Sequence, residues 1–211
     1  MKTVLYIHGM GGGGDSRIPS ILADESVKYD IKVVVRTYDF DPDIATRQIT
    51  LWVQELEPDL VVGESLGALH AIRSGVLPCL LVSPALNASY YFELLSWLTL
   101  IPGVTKIFDR IYRPREGDRQ KLHFTRKILR KYKGHRRKAI TSVSGLYEEK
   151  PIFAFFGSSD HYRRSGIVSV KTWEQYFGKS YDIYDGTHFM EEQYVRTILF
   201  DKVLEVLGIN K

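Results

Sequence analysis

Short apolar runs alternate with helical patterns along most of this chain of 211 residues. The runs lack the strict polar–apolar alternation of a strand with one wet face, so we expect parallel strands that are covered on both faces. The six predicted strands are residues 3–7, 32–36, 60–62, 79–82, 151–156 and 180–184. This repetition predicts an α/β fold whose sheet is doubly wound, mostly parallel and about six-stranded.

Four segments between these runs have the periodicity or the end signals of helices. In residues 44–57, apolar side chains recur at helical spacing, and Pro58 ends the pattern. Gly75 marks the end of a second helix over residues 66–74. The remaining two helices are predicted over residues 169–177 and 191–207. The length of the chain predicts a single domain over residues 1–211.

The alternation is interrupted once, between the strands at 79–82 and 151–156. The intervening residues 88–150 are too many for a plain crossover, so we interpret them as a helical cap inserted at the carboxyl edge of the sheet. Their first half is apolar and aromatic, and a helix is predicted over 118–133. Residues 110–138 include 13 Lys or Arg and 2 Asp or Glu, whereas the remainder has 16 basic and 23 acidic residues. An acidic body therefore carries one strongly basic segment.

The pentapeptide Gly63-Glu64-Ser65-Leu66-Gly67 has the pattern G-x-S-x-G and lies between a predicted strand and a predicted helix. This order is typical of a nucleophile elbow, a tight turn that presents a serine hydroxyl above the carboxyl end of a strand. Glycines at both ends of the motif allow neighbouring backbones to pass closely. Ser65 is therefore the predicted nucleophile, and an inert serine in a structural turn is the alternative.

Two later strands are each followed by a residue that would complete a catalytic triad. Asp160 follows the strand at 151–156, and His188 follows the strand at 180–184. Both lie at the carboxyl edge of the predicted sheet, where open α/β sheets build their sites. A serine hydroxyl needs a base, which His188 would supply. Asp160 would orient the imidazole and stabilise its protonated form.

Other residues compete for these roles. Asp182 and Asp185 are rival acids, but they lie beside His188 in sequence and would have to fold back onto it. His161 is a rival base, and it lies next to Asp160. The alternative is that neither residue is catalytic. Asp160 would then be a simple turn carboxylate, and His188 would be an N-cap or a loop histidine with its hydrogen bonds satisfied.

The first predicted strand runs into a glycine-rich turn, His8-Gly9-Met10-Gly11. Glycines let backbone N–H groups approach a developing oxyanion. We therefore predict an oxyanion hole formed by the N–H groups of Met10 and of Leu66, the residue after the nucleophile. His8 is interpreted as structural. A phosphate-binding loop is the alternative, but this turn lacks the Gly-Lys-Ser/Thr ending of a Walker motif.

These motifs together resemble the α/β-hydrolase superfamily, in which nucleophile, acid and base follow in the order of Ser65, Asp160 and His188. The chain is most similar to the small bacterial branch of YqiA-type esterase-like proteins. The similarity lies in the turn at 8–10, the elbow, the loop at 157–160 and Gly186-Thr187-His188. It implies hydrolysis of a carboxylic ester or thioester without a cofactor or a metal. It leaves the insertion uncovered, so it does not assign a substrate class.

The insertion is expected to decide specificity. Its apolar half would roof a pocket for a hydrophobic acyl or aryl group. Its basic half has three interpretations: a solvated face, a surface that attracts anionic substrates such as acyl-CoA or phosphorylated esters, or a contact for anionic lipid headgroups. Nucleic acid fits poorly, because no recognised motif accompanies the charge. The alternative function is a non-catalytic hydrolase-fold protein that binds an anionic partner through this segment.

The only cysteine, Cys79, lies in an apolar run and is predicted to be a core residue. No stretch of the sequence has the length and composition of a transmembrane helix, and the apolar N-terminus is predicted to be a first strand. We therefore expect a cytoplasmic protein. Its oligomeric state does not follow from the sequence.

Overall fold

The computed structural model describes residues 1–112, 116–143 and 151–210. The strands are β1 (Lys2–Ile7), β2 (Ile31–Val35), β3 (Leu60–Glu64), β4 (Cys79–Val82), β5 (Ile152–Gly157) and β6 (Tyr181–Tyr184). They form one sheet in the order β2-β1-β3-β4-β5-β6, and every neighbouring pair is parallel. The predicted α/β class and the six-stranded sheet are confirmed, with strand ends that differ by one or two residues.

Helices pack on both faces of the sheet. They are α1 (Arg17–Ser26), α2 (Pro42–Leu56), α3 (Gly67–Ser74), α4 (Ala88–Leu98), α5 (Val104–Ile111), α6 (Arg126–Ser142), α7 (His161–Ser165), α8 (Val170–Phe177), α9 (Glu192–Tyr194) and α10 (Phe200–Leu207). A π turn over Val195–Leu199 joins α9 to α10, so the predicted helix at 191–207 is present as one stretch. Asp41 caps α2 by accepting a hydrogen bond from the N–H of Asp43.

The sheet separates two hydrophobic cores, because successive side chains of a strand point to opposite faces. Leu5 and Ile7 of β1 belong to the core that packs against α2, α3, α6 and α8. Val4 and Tyr6 belong to the other core, which packs against α1 and α10. Cys79 is fully buried in the first core, as predicted. With both faces covered, the carboxyl edge of the sheet is where loops can form a site.

The insertion between β4 and β5 contains α4, α5 and α6. The predicted helix over 118–133 is wrong at both ends, because Thr125 caps α6 by accepting from the N–H of Ile128 and the helix runs to Ser142. Leu129 and Tyr132 of α6 are fully buried in the same core as α3. The interpretation of the insertion as a cap stays a prediction. Its residues 113–115 and 144–150 lie outside the described part of the chain.

Within the described ranges, no helix combines the length and the apolar character needed to cross a bilayer.

Candidate active site

The elbow between β3 and α3 holds Ser65 in a strained backbone conformation. Ser65 has a φ of 52°, in the left-handed region that residues other than glycine rarely adopt. The neighbouring strand holds it there, because the Ser65 N–H donates to the carbonyl of Val82 at 2.9 Å. The Ser65 carbonyl accepts from the N–H groups of Ala68 and Ala85 at 3.2 and 3.1 Å. These bonds fix the backbone that presents the hydroxyl.

The two glycines of the motif stand where no side chain fits. A Cβ on Gly63 would lie 2.7 Å from the Cβ of Ala71, and one on Gly67 would lie 2.3 Å from the carbonyl oxygen of His8. The first close approach is between β3 and α3, and the second is between the start of α3 and the end of β1. The sequence predicted that neighbouring backbones pass closely at both positions. These distances show why each position needs glycine.

The structure brings Ser65, His188 and Asp160 together from three loops at the carboxyl edge. The Nε2 of His188 lies 2.9 Å from the Ser65 Oγ, and its Nδ1 lies 2.8 Å from the Asp160 Oδ2. Because Nδ1 faces a carboxylate, we assign the proton of the neutral ring to Nδ1, which leaves Nε2 to accept from the serine hydroxyl. His188 and Asp160 are 2% and 3% exposed, so water does not compete for their hydrogen bond.

Asp160 has a second task as the N-cap of α7. Its Oδ1 accepts from the N–H of Tyr162 at 2.8 Å, which leaves Oδ2 for His188. Burial raises the pKa of Asp160, but the hydrogen bonds from His188 and from the Tyr162 N–H lower it by more. The pKa therefore lies below the usual value for an aspartate, and the group is a carboxylate at neutral pH.

The rival residues lie elsewhere. Asp185 accepts a hydrogen bond from the Ser158 hydroxyl at 3.0 Å, and Asp182 is exposed on β6. His161 is exposed on α7, with its ring centroid 6.1 Å from that of His188. The arrangement therefore favours the acid and the base that the strand ends predicted.

Met10 and Leu66, whose backbone N–H groups are the predicted oxyanion hole, border the same cavity as Ser65. The turn after β1 comes close to the elbow, since a Cβ on Gly9 would lie 3.3 Å from the Cβ of Ser65. Both residues line the cavity. Within residues 1–112, 116–143 and 151–210, neither N–H donates to a protein acceptor. Two backbone donors without a protein partner leave the oxyanion hole possible, and it stays a prediction.

Gln120 holds the glycine-rich turn, and sequence reasoning missed it. Its side-chain Oε1 accepts from the N–H of Gly11 at 3.0 Å, and its backbone N–H donates to the carbonyl of Gly12 at 2.7 Å. Its Nε2 donates to the carbonyl of Tyr38 at 3.2 Å, and the residue is 1% exposed. A glutamine 109 positions from Gly11 carries no local signal of this contact. Residues 118–125, predicted to be helical, therefore include a brace for this turn.

Two other residues that the sequence did not single out support the site. The guanidinium of Arg17 donates to the carbonyls of Phe189 and Met190 at 2.8 Å each, and so holds the chain just after His188. The hydroxyl of Tyr38 donates to the carbonyl of His8 at 2.7 Å.

His8 is structural in this arrangement, as predicted. Its Nδ1 donates to the carbonyl of Gly9 at 2.8 Å, and its ring stacks on that of Tyr38. Burial lowers the pKa of His8 to about 4, so the ring is neutral at physiological pH.

A cavity of about 600 Å³ opens above Ser65. Its wall is mostly apolar and includes Leu66, Ala88, Tyr91, Phe92, Ile167 and Phe189. Glu64 and Arg17 add polar groups to this wall. Partial burial raises the pKa of Glu64, although the hydrogen bond from the Tyr6 hydroxyl counteracts the shift. The inner side of α4 thus forms one wall of the space in which a ligand would meet the serine.

In the part of the chain that the structure describes, no group of three or more His, Cys, Asp or Glu side chains is arranged to hold a metal ion.

Comparison with known proteins supports the fold. No protein-family model matches the sequence, and no curated protein matches it. Among solved structures, Est1E from Butyrivibrio proteoclasticus with bound ferulic acid has a TM-score of 0.64 at 15% identity, covering 99% of this chain and 90% of that one. The mouse alpha/beta hydrolase domain-containing protein 10 has a TM-score of 0.65 at 12% identity, over 98% and 89%.

A third similar structure is tomato methylketone synthase I in complex with 2-tridecanone. Its TM-score is 0.60 at 10% identity, covering 98% of both chains. Similarity over nearly the whole chain establishes the α/β-hydrolase fold here. The narrower resemblance to the YqiA-type branch stays a prediction.

Proposed function

We propose that this protein is a serine hydrolase that cleaves a carboxylic ester or thioester through an acyl-enzyme intermediate. The single observation that carries the proposal is the position of one imidazole. It contacts the Ser65 hydroxyl at 2.9 Å and the Asp160 carboxylate at 2.8 Å, beside an apolar cavity. This is the arrangement that activates a serine for nucleophilic attack.

In the first half-reaction the Ser65 Oγ attacks the carbonyl carbon of the substrate while the His188 Nε2 takes the hydroxyl proton. The carbonyl oxygen becomes an oxyanion, which accepts hydrogen bonds from the N–H groups of Met10 and Leu66. The Asp160 carboxylate stabilises the imidazolium. The tetrahedral intermediate then expels the alcohol or thiol, which receives its proton from His188, and the acyl group stays on Ser65.

In the second half-reaction water attacks the acyl carbon. His188 removes a proton from that water, and the same two N–H groups hold the second oxyanion. Collapse of this intermediate breaks the bond to the Ser65 Oγ, which takes the proton back from His188. The products are a carboxylic acid and the free enzyme.

The cavity favours a hydrophobic acyl or aryl group. Tyr91, Phe92 and Ile167 offer apolar surface close to Ser65, and burying a CH₂ group there contributes about 0.8 kcal/mol. Two proteins of the same fold carry ligands of this kind, ferulic acid in Est1E and 2-tridecanone in methylketone synthase I. We therefore expect turnover to rise with acyl length until the cavity is filled.

Labelling with a fluorophosphonate tests the nucleophile. The probe phosphonylates an activated serine with loss of fluoride, so the parent should be labelled and Ser65→Ala should not. Ser159→Ala, which removes an exposed serine near the triad, is the matched control and should label like the parent. Labelling that persists in Ser65→Ala would reassign the nucleophile. An unlabelled parent would favour the alternative, a non-catalytic protein that binds an anionic partner. A panel of esters and thioesters of graded acyl length would then define the substrate.

A further inference from the structure

The outer face of α4 is apolar although it is open to solvent. Five exposed apolar residues lie on one side of α4 and the turn that continues it, because successive members are one, three or four positions apart. They are Tyr90, Leu94, Trp97, Leu98 and Ile101. Leu94 is 64% exposed and Trp97 is 57% exposed. The opposite side of the same helix carries the buried Phe92. Helix α4 thus has two apolar sides, of which only one is covered.

The next helix, α5, also exposes apolar side chains. None of its residues is buried, and Ile107 and Ile111, spaced four positions apart, are 55% and 66% exposed. Within the described part of the chain, nine of the sixteen exposed large hydrophobic residues fall between positions 90 and 112. Single exposed apolar residues are normal on a protein surface, whereas a cluster of them marks an interaction surface.

A stripe of cations runs beside the apolar face. Arg126, Arg130, Lys133 and Arg137 lie on α6 at spacings of three or four positions, which places them on one side of that helix. Of these four, in the ranges that the structure describes, only Lys133 pairs with a carboxylate, that of Glu93 on α4 at 3.0 Å. Arg130 and Arg137 are exposed, and Arg126 is partly buried.

Contacts between α4 and α6 show that the two stripes are neighbours. The Arg126 guanidinium lies 5.0 Å from the centre of the Trp97 ring. Tyr90, at the other end of the apolar face, shares a surface groove of about 510 Å³ with Arg130, Lys133 and Arg137. The apolar row therefore lies against the basic row along the length of α4.

We propose that this combined surface, the apolar face of α4 and α5 with the cationic stripe of α6, binds an anionic lipid bilayer. Such a bilayer presents phosphate charge at its surface and acyl chains just beneath it. Large apolar side chains and a tryptophan would enter the boundary between headgroups and acyl chains. The arginines would meet the headgroup phosphates, and Arg pairs with phosphate through several donors at once.

The charge pattern argues for lipid over a second copy of this chain. Two copies meeting through this surface would bring two cationic stripes together, whereas an anionic membrane neutralises them. The proposal does not depend on the catalytic assignment. It places the bilayer against the outside of a cavity wall, since Ala88, Tyr91 and Phe92 line the cavity from the inner side of α4.

Vesicle sedimentation tests the proposal. The full chain is mixed with vesicles of phosphatidylcholine alone or with about one-third phosphatidylglycerol, at low and at raised salt. We expect binding to the anionic vesicles, at least about tenfold weaker binding to the neutral ones, and weakening by salt. The double variants Leu94→Ser/Trp97→Ser and Arg130→Glu/Arg137→Glu should each lose about tenfold in affinity. Leu51→Ser and Lys179→Glu, at exposed positions of α2 and of the α8–β6 loop, are matched controls.

Tryptophan fluorescence provides a second readout. Of the three tryptophans, Trp173 is buried, Trp52 is partly buried and Trp97 is exposed. Anionic vesicles should shift the emission to the blue in the parent, and Trp97→Phe should bind while losing that shift. Unchanged thermal unfolding would show that the variants fold.

Three results would overturn the proposal. The first is failure of the parent to sediment with anionic vesicles, and the second is equal binding by the parent and both double variants. The third is concentration-dependent dimerisation that Leu94→Ser/Trp97→Ser abolishes, which would assign the face to a second copy.

Discussion

Gly67 and His8 meet backbone to backbone, with so little space that a Cβ on Gly67 would lie 2.3 Å from the His8 carbonyl oxygen. The contact joins the first turn of α3 to the end of β1. Leu66 precedes Gly67, and Met10 follows His8 by two residues. A single close approach therefore sets the relative positions of the two N–H groups that we assign to the oxyanion hole.

Replacing Gly67 with alanine should separate these two loops. The added methyl group cannot be accommodated without a backbone shift, so we expect kcat to fall by about a hundredfold or more, as when an oxyanion donor is lost. Stability should fall by about 1–3 kcal/mol. Steady-state ester hydrolysis and urea unfolding measure the two effects. Gly134→Ala, in α6 with no atom within 4 Å of the new Cβ, is the control and should match or slightly exceed the parent in stability.

Asp160→Asn should separate the charge of this residue from its capping role. Asparagine still accepts from the Tyr162 N–H, so α7 should keep its start and the protein should unfold at a similar temperature. The imidazolium loses its carboxylate partner, and we expect kcat to fall by about 10³–10⁴. Asp185→Asn, which alters a neighbouring carboxylate that contacts Ser158, should leave kcat within about twofold of the parent. Equal kcat values for Asp160→Asn and Asp185→Asn would contradict the assignment of Asp160 as the acid of the triad.

Gln120→Ala should act on the site through the glycine-rich turn. Loss of the amide removes its hydrogen bonds to Gly11 and Tyr38, so the Met10 N–H would sample more positions. We expect kcat to fall by about tenfold with little change in KM, because an oxyanion interaction exists mainly in the transition state. Gln175→Ala, at an exposed position of α8, controls for loss of a glutamine. A rise in KM with kcat unchanged would place Gln120 in substrate binding instead.

Buried histidines should make stability depend on pH. Burial lowers the pKa of both His8 and His135 to about 4, whereas a histidine in the unfolded chain has a pKa of about 6.5. The unfolded state therefore takes up protons first as the pH falls. The free energy of unfolding is therefore highest above about pH 6.5 and decreases down to about pH 4. At pH 5 each histidine has lowered it by about 2 kcal/mol.

Urea unfolding at neutral pH and near pH 5 measures this loss. His135→Phe should lose about 2 kcal/mol less than the parent on acidification, because one titrating group is gone. His123→Gln, which removes an exposed histidine, should lose as much as the parent. Identical losses in the parent and in His135→Phe would show that His135 does not titrate between these pH values.

Local patterns were sufficient for the sheet and for the nomination of site residues. Most of the strands are apolar runs in the sequence, and the flanking glycines of the elbow follow from the backbone geometry of a tight turn. Asp160 and His188 were identifiable because each follows a strand and because parallel strands end at one edge. None of these inferences required knowledge of the neighbours of a residue in space.

The start of α6 shows where such reasoning fails. The charged residues from 118 onward suit a helix, but residues 118–125 contribute contacts to a turn more than a hundred positions away, through Gln120 and the Gly11 N–H. A local signal for the helix start exists at Thr125, which caps the N–H of Ile128. Tertiary contacts outweighed helix propensity in the preceding residues.

The sequence by itself determined the class of fold, the order of the strands along the chain, and the serine, aspartate and histidine of the candidate site, because these depend on hydrophobic periodicity and on turns between adjacent elements. The tertiary structure decided the hydrogen bonds that join those three residues, the brace at Gln120, and the contact of the apolar row of α4 with the cationic row of α6. Those features depend on distances between residues far apart in the chain, which only packing of the helices on the sheet establishes.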